Sequence, residues 1–144
     1  MGSSTTRLTG SCHCGNIGLA FETSRAPRDL PTRACACSFC RRHQARGVTD
    51  PGGRVEIVAR DASQVSLYRF ALGTADFVIC ARCGVYVGAV FTEGDRSWAV
   101  LNVNALDERD SFPAAAPVSY EGETAEARRA RRRAKWTPAL LRLG

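Results

Sequence analysis

Nothing in the 144 residues approaches the roughly 20 consecutive apolar positions that a membrane-spanning helix needs. The first ten residues, MGSSTTRLTG, hold neither the apolar stretch of a secretory signal nor the Arg-rich pattern of a transit peptide. These absences set the expectation of a soluble chain with no membrane partner, kept in the cytoplasm, where thiols stay reduced. No repeat of solenoid type is visible, and the one biased stretch is rich in Arg and Ala near the end. Aromatic residues are not interleaved with that stretch. Single-strand binders use such aromatics for stacking, so nucleic acid is not an expected partner.

Cysteine, by contrast, is abundant: there are seven. The odd count, the reducing compartment and the poor geometry of Cys-x-Cys pairs for bridging one another all favour metal ligation over a disulfide framework. The residues fall into three groups. Cys12 and Cys14 lie in Cys-His-Cys-Gly, Cys80 and Cys83 in Cys-Ala-Arg-Cys-Gly, and Cys35, Cys37 and Cys40 in a short segment rich in arginine. In each pair a glycine follows the second cysteine, Gly15 and Gly84, and a positive φ there can turn backbone amides toward the sulfurs. The two pairs together make a closed four-thiolate set, the usual ligand set of a structural zinc.

The remaining three thiolates, Cys35, Cys37 and Cys40, can hold a second zinc with one position open. Such an ion lowers the pKa of a bound water or thiol and polarises a carbonyl oxygen, which is the chemistry of an aldehyde meeting a thiol. His43 can close this set as a fourth ligand, shuttle a proton beside it, or lie at the surface. His13, between two ligands, reads as a bystander. Arg33, Arg41, Arg42 and Arg46 surround the segment and can clamp the carboxylates of an acidic substrate, with Arg41 and Arg42 nearest the cysteines.

The formal net charge of +6 is a local property. Six basic residues, Arg128, Arg129, Arg131, Arg132, Arg133 and Lys135, fall within eight positions, and without them the balance is about zero. Ala, Glu and Arg favour a helix over 125–135, capped by Thr124, stopped by Pro138 and docked through Trp136. Strand patterns occur at 16–23, 54–59, 63–70, 75–80, 85–91 and 98–103, with short turn-rich links that predict an antiparallel meander. The fold class is therefore mainly β, with a zinc-binding β domain over 1–122 and a basic helical tail over 123–144.

The motifs Gly-x-Cys-x-Cys-Gly, then Cys-x-Cys-Ser-x-Cys-Arg, then Tyr-Arg-Phe-x-x-Gly-Thr leading to Cys-x-x-Cys-Gly, resemble the glutathione-dependent formaldehyde-activating enzyme family, also called centromere protein V-like. The resemblance runs over about residues 10–107. It implies an Mss4-like arrangement of coiled antiparallel β-sheets, a structural zinc on Cys12, Cys14, Cys80 and Cys83, and a second zinc on Cys35, Cys37 and Cys40. It also implies a carbon–sulfur lyase that condenses glutathione with formaldehyde to S-hydroxymethylglutathione. The competing reading is a non-catalytic zinc module that binds nucleic acid or a protein partner through its basic tail.

Overall fold

The computed structural model describes residues 5–143; residues 1–4, part of the ten-residue stretch read above, and residue 144 lie outside it. β1 (Thr6–Ser11) and β2 (Ile17–Thr23) form an antiparallel hairpin around the first cysteine pair. The second cysteine group is not one loop. It runs through a strand, β3 (Arg33–Cys35), a six-residue helix, α1 (Ser38–His43), and a two-residue strand, β4 (Gly47–Val48). β5 (Arg54–Ala59), β6 (Val65–Tyr68), β7 (Asp76–Cys80), β8 (Tyr86–Glu93) and β9 (Arg96–Asn102) follow. The chain ends in β10 (Ala116–Val118), α2 (Ala125–Lys135) and β11 (Thr137–Arg142).

The fold is mainly β with a short C-terminal helix, as expected. The meander is shorter than predicted: β6, β7, β8 and β9 pair antiparallel in sequence, but β5 pairs with β2 and β11 instead. Residues 63–70 are strand only over Val65–Tyr68, since Asp61 caps a 3-10 turn at Ala62–Gln64. Two pairings, β10 with β3 and β11 with β5, are parallel. β8 is covered on both faces, with every residue from Tyr86 to Phe91 buried.

Beyond its helix, the segment read as a helical tail contains a strand, and that strand sits inside the sheet. β11 joins β9 through Thr137 and Pro138 and β5 through residues 139–142. Pro138 does not end regular structure: it sits where the strand changes partner, where the amide hydrogen it lacks is not needed by a continuous ladder. The helix itself spans 125–135 with the Thr124 hydroxyl accepting from Ala127 N, as the sequence predicts.

Ile17, Leu19 and Phe21 of β2 and Val55 and Ile57 of β5 form the main core with Val87, Leu101 and Leu106. Complete burial of Phe21 and Ile57 contributes about 1.5–3 kcal/mol each. A second core of Ala75, Ala89, Phe91, Trp98 and Trp136 anchors α2. Among the described residues no helix is long and apolar enough to cross a membrane.

Candidate metal centres and the cavity beside them

Two hairpins supply the first cluster. Cys12 and Cys14 lie in the β1–β2 turn, Cys80 closes β7 and Cys83 lies in the β7–β8 turn. The turns are built alike. Cys12 N donates to Ile17 O at 3.0 Å and Cys80 N to Val85 O at 3.0 Å, while Gly15 N and Gly84 N donate back to Cys12 O and Cys80 O. Gly15 and Gly84 adopt φ of 84° and 83°, so the glycine after each pair does what the sequence required. Backbone amides then aim at sulfur: Ile17 N to Cys12 Sγ at 3.3 Å and Cys83 N to Cys80 Sγ at 3.4 Å.

The four sulfurs lie within 4.8 Å of one another, with Cys12–Cys14 at 3.7 Å and Cys14–Cys80 at 3.6 Å. These separations are far too long for a disulfide, about 2.05 Å. They match the roughly 3.8 Å between sulfurs around a tetrahedral ion with bonds of about 2.3 Å. The donor set can therefore hold a metal ion.

The second cluster, Cys35, Cys37 and Cys40, also converges within 4.8 Å. β3 carries Cys35, fixed from one side by Gly47 opposite Arg33 and from the other by Val118 beside Cys35. Cys37 caps α1, its sulfur accepting from Cys40 N at 3.4 Å, which brings the third sulfur one helical turn on. α1 is held down by Phe39, whose ring lies 4.8 Å from that of Phe77 and 5.0 Å from that of Tyr86. Cys35 and Cys40 titrate together rather than singly. A hydrogen bond from Cys40 pulls Cys35 down to about 5, with the Cys37 amide and the Arg131 charge assisting. That same bond to Cys35, together with burial, pushes Cys40 far up. Of that pair, Cys35 takes the negative charge and Cys40 keeps its proton.

His43 does not join this group among the described residues. Its exposed ring packs 4.5 Å from that of Phe39 and 5.5 Å from that of Tyr86. Arg41 and Arg42 are likewise exposed, Arg42 donating to Ser38 O, and neither lines the cavity described next. Arg46 is tied to Asn104 and to Arg109 O. Of the arginines flagged around the cysteines, Arg33 is the one that faces the cavity, its Nη2 donating to Thr49 Oγ1 at 2.6 Å.

That cavity, of about 360 Å³, opens beside the three thiols. One wall comes from the C-terminal segment: Trp136, the expected docking residue, and Arg128, Arg131 and Arg132, which the sequence did not assign to a site, with Arg131 over the Tyr120 ring. Arg128, Arg131, Arg132 and Trp136 follow an i, i+3, i+4, i+8 spacing, a signal the sequence carried that marks one face of a helix. Glu123 accepts from Arg131 Nε and Nη2 and from Arg128 Nε at 2.9–3.0 Å. The Arg131 bonds foremost, with the single bond from Arg128, hold its carboxyl below the usual range against the opposing effect of burial. Arg133 pairs with Glu93. Four of the six basic residues are thus engaged with the body or buried in it.

Tyr86 is the second group that sequence reasoning missed. The strand pattern over 85–91 marked it only as a strand position, yet it lines the cavity beside the thiols. Burial, and then the charges of Cys40, Cys37 and Cys35, raise its pKa well above normal, so the phenol stays protonated.

A family model described as glutathione-dependent formaldehyde-activating enzyme matches residues 7–121, which include all seven cysteines. The chain is also similar to a Rhodobacter sphaeroides protein of known crystal structure, at 29% sequence identity and a TM-score of 0.58, over 76% of this chain and 99% of that one.

Proposed function

The chain belongs to the glutathione-dependent formaldehyde-activating enzyme family, and from that membership we propose that it is a carbon–sulfur lyase joining a thiol, glutathione first among them, to formaldehyde as S-hydroxymethylglutathione. The observation that carries this reading is the convergence of Cys35, Cys37 and Cys40 on the wall of a cavity large enough for a small substrate. Zinc is the ion that suits both donor sets, four thiolates closing one and three leaving a coordination position at the other. When bound at Cys35, Cys37 and Cys40, it would supply a Lewis acid for a carbonyl and favour the thiolate form of a substrate thiol.

The protein's own residues account for the rest. The cavity holds thiol and aldehyde together, which lowers the entropic cost of a two-substrate addition. A sulfur–carbon bond forms, the carbonyl π bond breaks, and the thiol proton ends on oxygen, with no net redox change. Tyr86, kept neutral where it lines the cavity, is the donor assigned to that oxygen, and the thiol proton restores it.

The test is to mix zinc-loaded protein with formaldehyde and glutathione at mildly acidic pH, where a small thiolate fraction slows the spontaneous condensation. Adduct appearing faster than in buffer supports the reading. A rate equal to buffer removes it.

A further inference from the structure

α2 begins beyond the matched stretch, residues 7–121, yet Arg128, Arg131 and Arg132 line the same cavity as the three thiols. Glu123 is engaged by the first two, and with Arg33 and Glu121, which also line the cavity, four guanidiniums against two carboxylates leave two positive charges around it. A divalent ion on three thiolates would place one negative charge opposite, so a positive charge still remains.

Arg132 is the least compensated of the three. It is 6% exposed, and its guanidinium stacks 4.7 Å from the Trp136 ring centre. Nη1 donates to Thr74 Oγ1 at 2.5 Å, a neutral partner, while Nε is buried with no partner at all. Burial, with repulsion from Arg131 and Arg128 and against the weaker pull of Glu123 and Cys35, lowers its pKa to about 10, so the charge persists at neutral pH with no carboxylate in direct contact. A buried cation left in this state is costly unless an anion arrives to balance it. The planar fork of arginine suits a carboxylate, and the cavity in front of it is large enough to admit one.

We propose that Arg132, stacked on Trp136 and backed by Arg131, is the carboxylate subsite of this cavity and selects thiols that bear an acid group over neutral thiols. The assignment rests on the reading that the cavity takes a thiol substrate. It adds which residue recognises that substrate, and by which of its groups.

The experiment is calorimetric titration of zinc-loaded protein with S-methylglutathione, whose blocked sulfur cannot condense, and with its diethyl ester, which has no free carboxylate. The parent should bind the acid at least about tenfold tighter than the ester. Arg132→Gln should lose that preference with zinc content unchanged, and Arg132→Lys should keep part of it. Equal binding of acid and ester, no binding of the acid by the parent, or an undiminished preference in Arg132→Gln would each overturn the proposal. Should Arg132→Gln fail to fold, the parent comparison and Arg132→Lys decide. Condensation assays separate the two readings. Equal acceleration with glutathione and with neutral 2-mercaptoethanol defeats the subsite and leaves the reaction standing. Arg132-dependent binding without any acceleration does the reverse.

Discussion

Cys14 and Cys80 are 66 residues apart in the chain, and their sulfurs are 3.6 Å apart in the fold. That approach ties the β1–β2 turn to the β7–β8 hairpin, which in turn carries Tyr86 and supports α1 through Phe77. The four-cysteine cluster thus ties together the scaffold on which the three-cysteine cluster is displayed.

The turn at Gly84 is expected to depend on backbone conformation rather than on space. A Cβ there would meet nothing within 4 Å, but φ is +83°. Gly84→Ala should cost about 1 kcal/mol and speed zinc loss to a chelator, whereas Gly84→Asn, better tolerated at positive φ, should lie between Ala and the parent. Equal release rates for all three would contradict the role given to this turn.

Trp136→Ala should destabilise the protein by about 3–5 kcal/mol in denaturant unfolding. The ring fills the second core with Ala75, Ala89, Phe91 and Trp98, and it is the point at which α2 passes into β11. A change below about 1 kcal/mol would return residues 123–144 to the status of a loose tail.

Glu123→Gln should remove about 2 kcal/mol at pH 7, because the carboxylate accepts from two half-buried arginines. The sign follows from its depressed pKa: the contribution is present above the ordinary glutamate value, about 4.3, and fades as pH falls through the lower folded value. Stability curves of parent and variant should therefore converge in acid. Parallel curves down to pH 2 would contradict the pairing.

Tyr86→Phe should retain zinc and fold while lowering the catalysed rate by roughly 100-fold, the smaller end of what a positioned proton donor contributes. An unchanged rate would remove Tyr86 from the reaction and leave it as cavity lining.

Much of this was legible in local patterns. Thr124 and the Ala/Glu/Arg run fixed α2 to the residue, the 54–59 alternation matched β5, and the spacing of seven cysteines divided them as the fold does. The departures arise where tertiary pairing decides. β3, β4 and β10 hold two or three residues each, too few for a period to register, and exist because each completes its neighbour's ladder. β11 carries a proline and draws its stability from β5 and β9, neither adjacent in sequence. Arg41 and Arg42 sit closest to the cysteines in the chain but lie exposed on α1, whereas Arg131 and Arg132 reach the cavity from about 90 residues away. Proximity in sequence found Arg33 but not Arg131 and Arg132, which helical spacing marks.

The most direct test of the two-cluster account is zinc per chain, by elemental analysis of protein purified without added metal, for the parent beside Cys12→Ser and Cys37→Ser. The account predicts two zincs in the parent, one in a folded Cys37→Ser protein, and an unfolded or strongly destabilised Cys12→Ser. A parent holding one zinc that added metal does not raise to two, or a Cys37→Ser protein that still holds two, would contradict it.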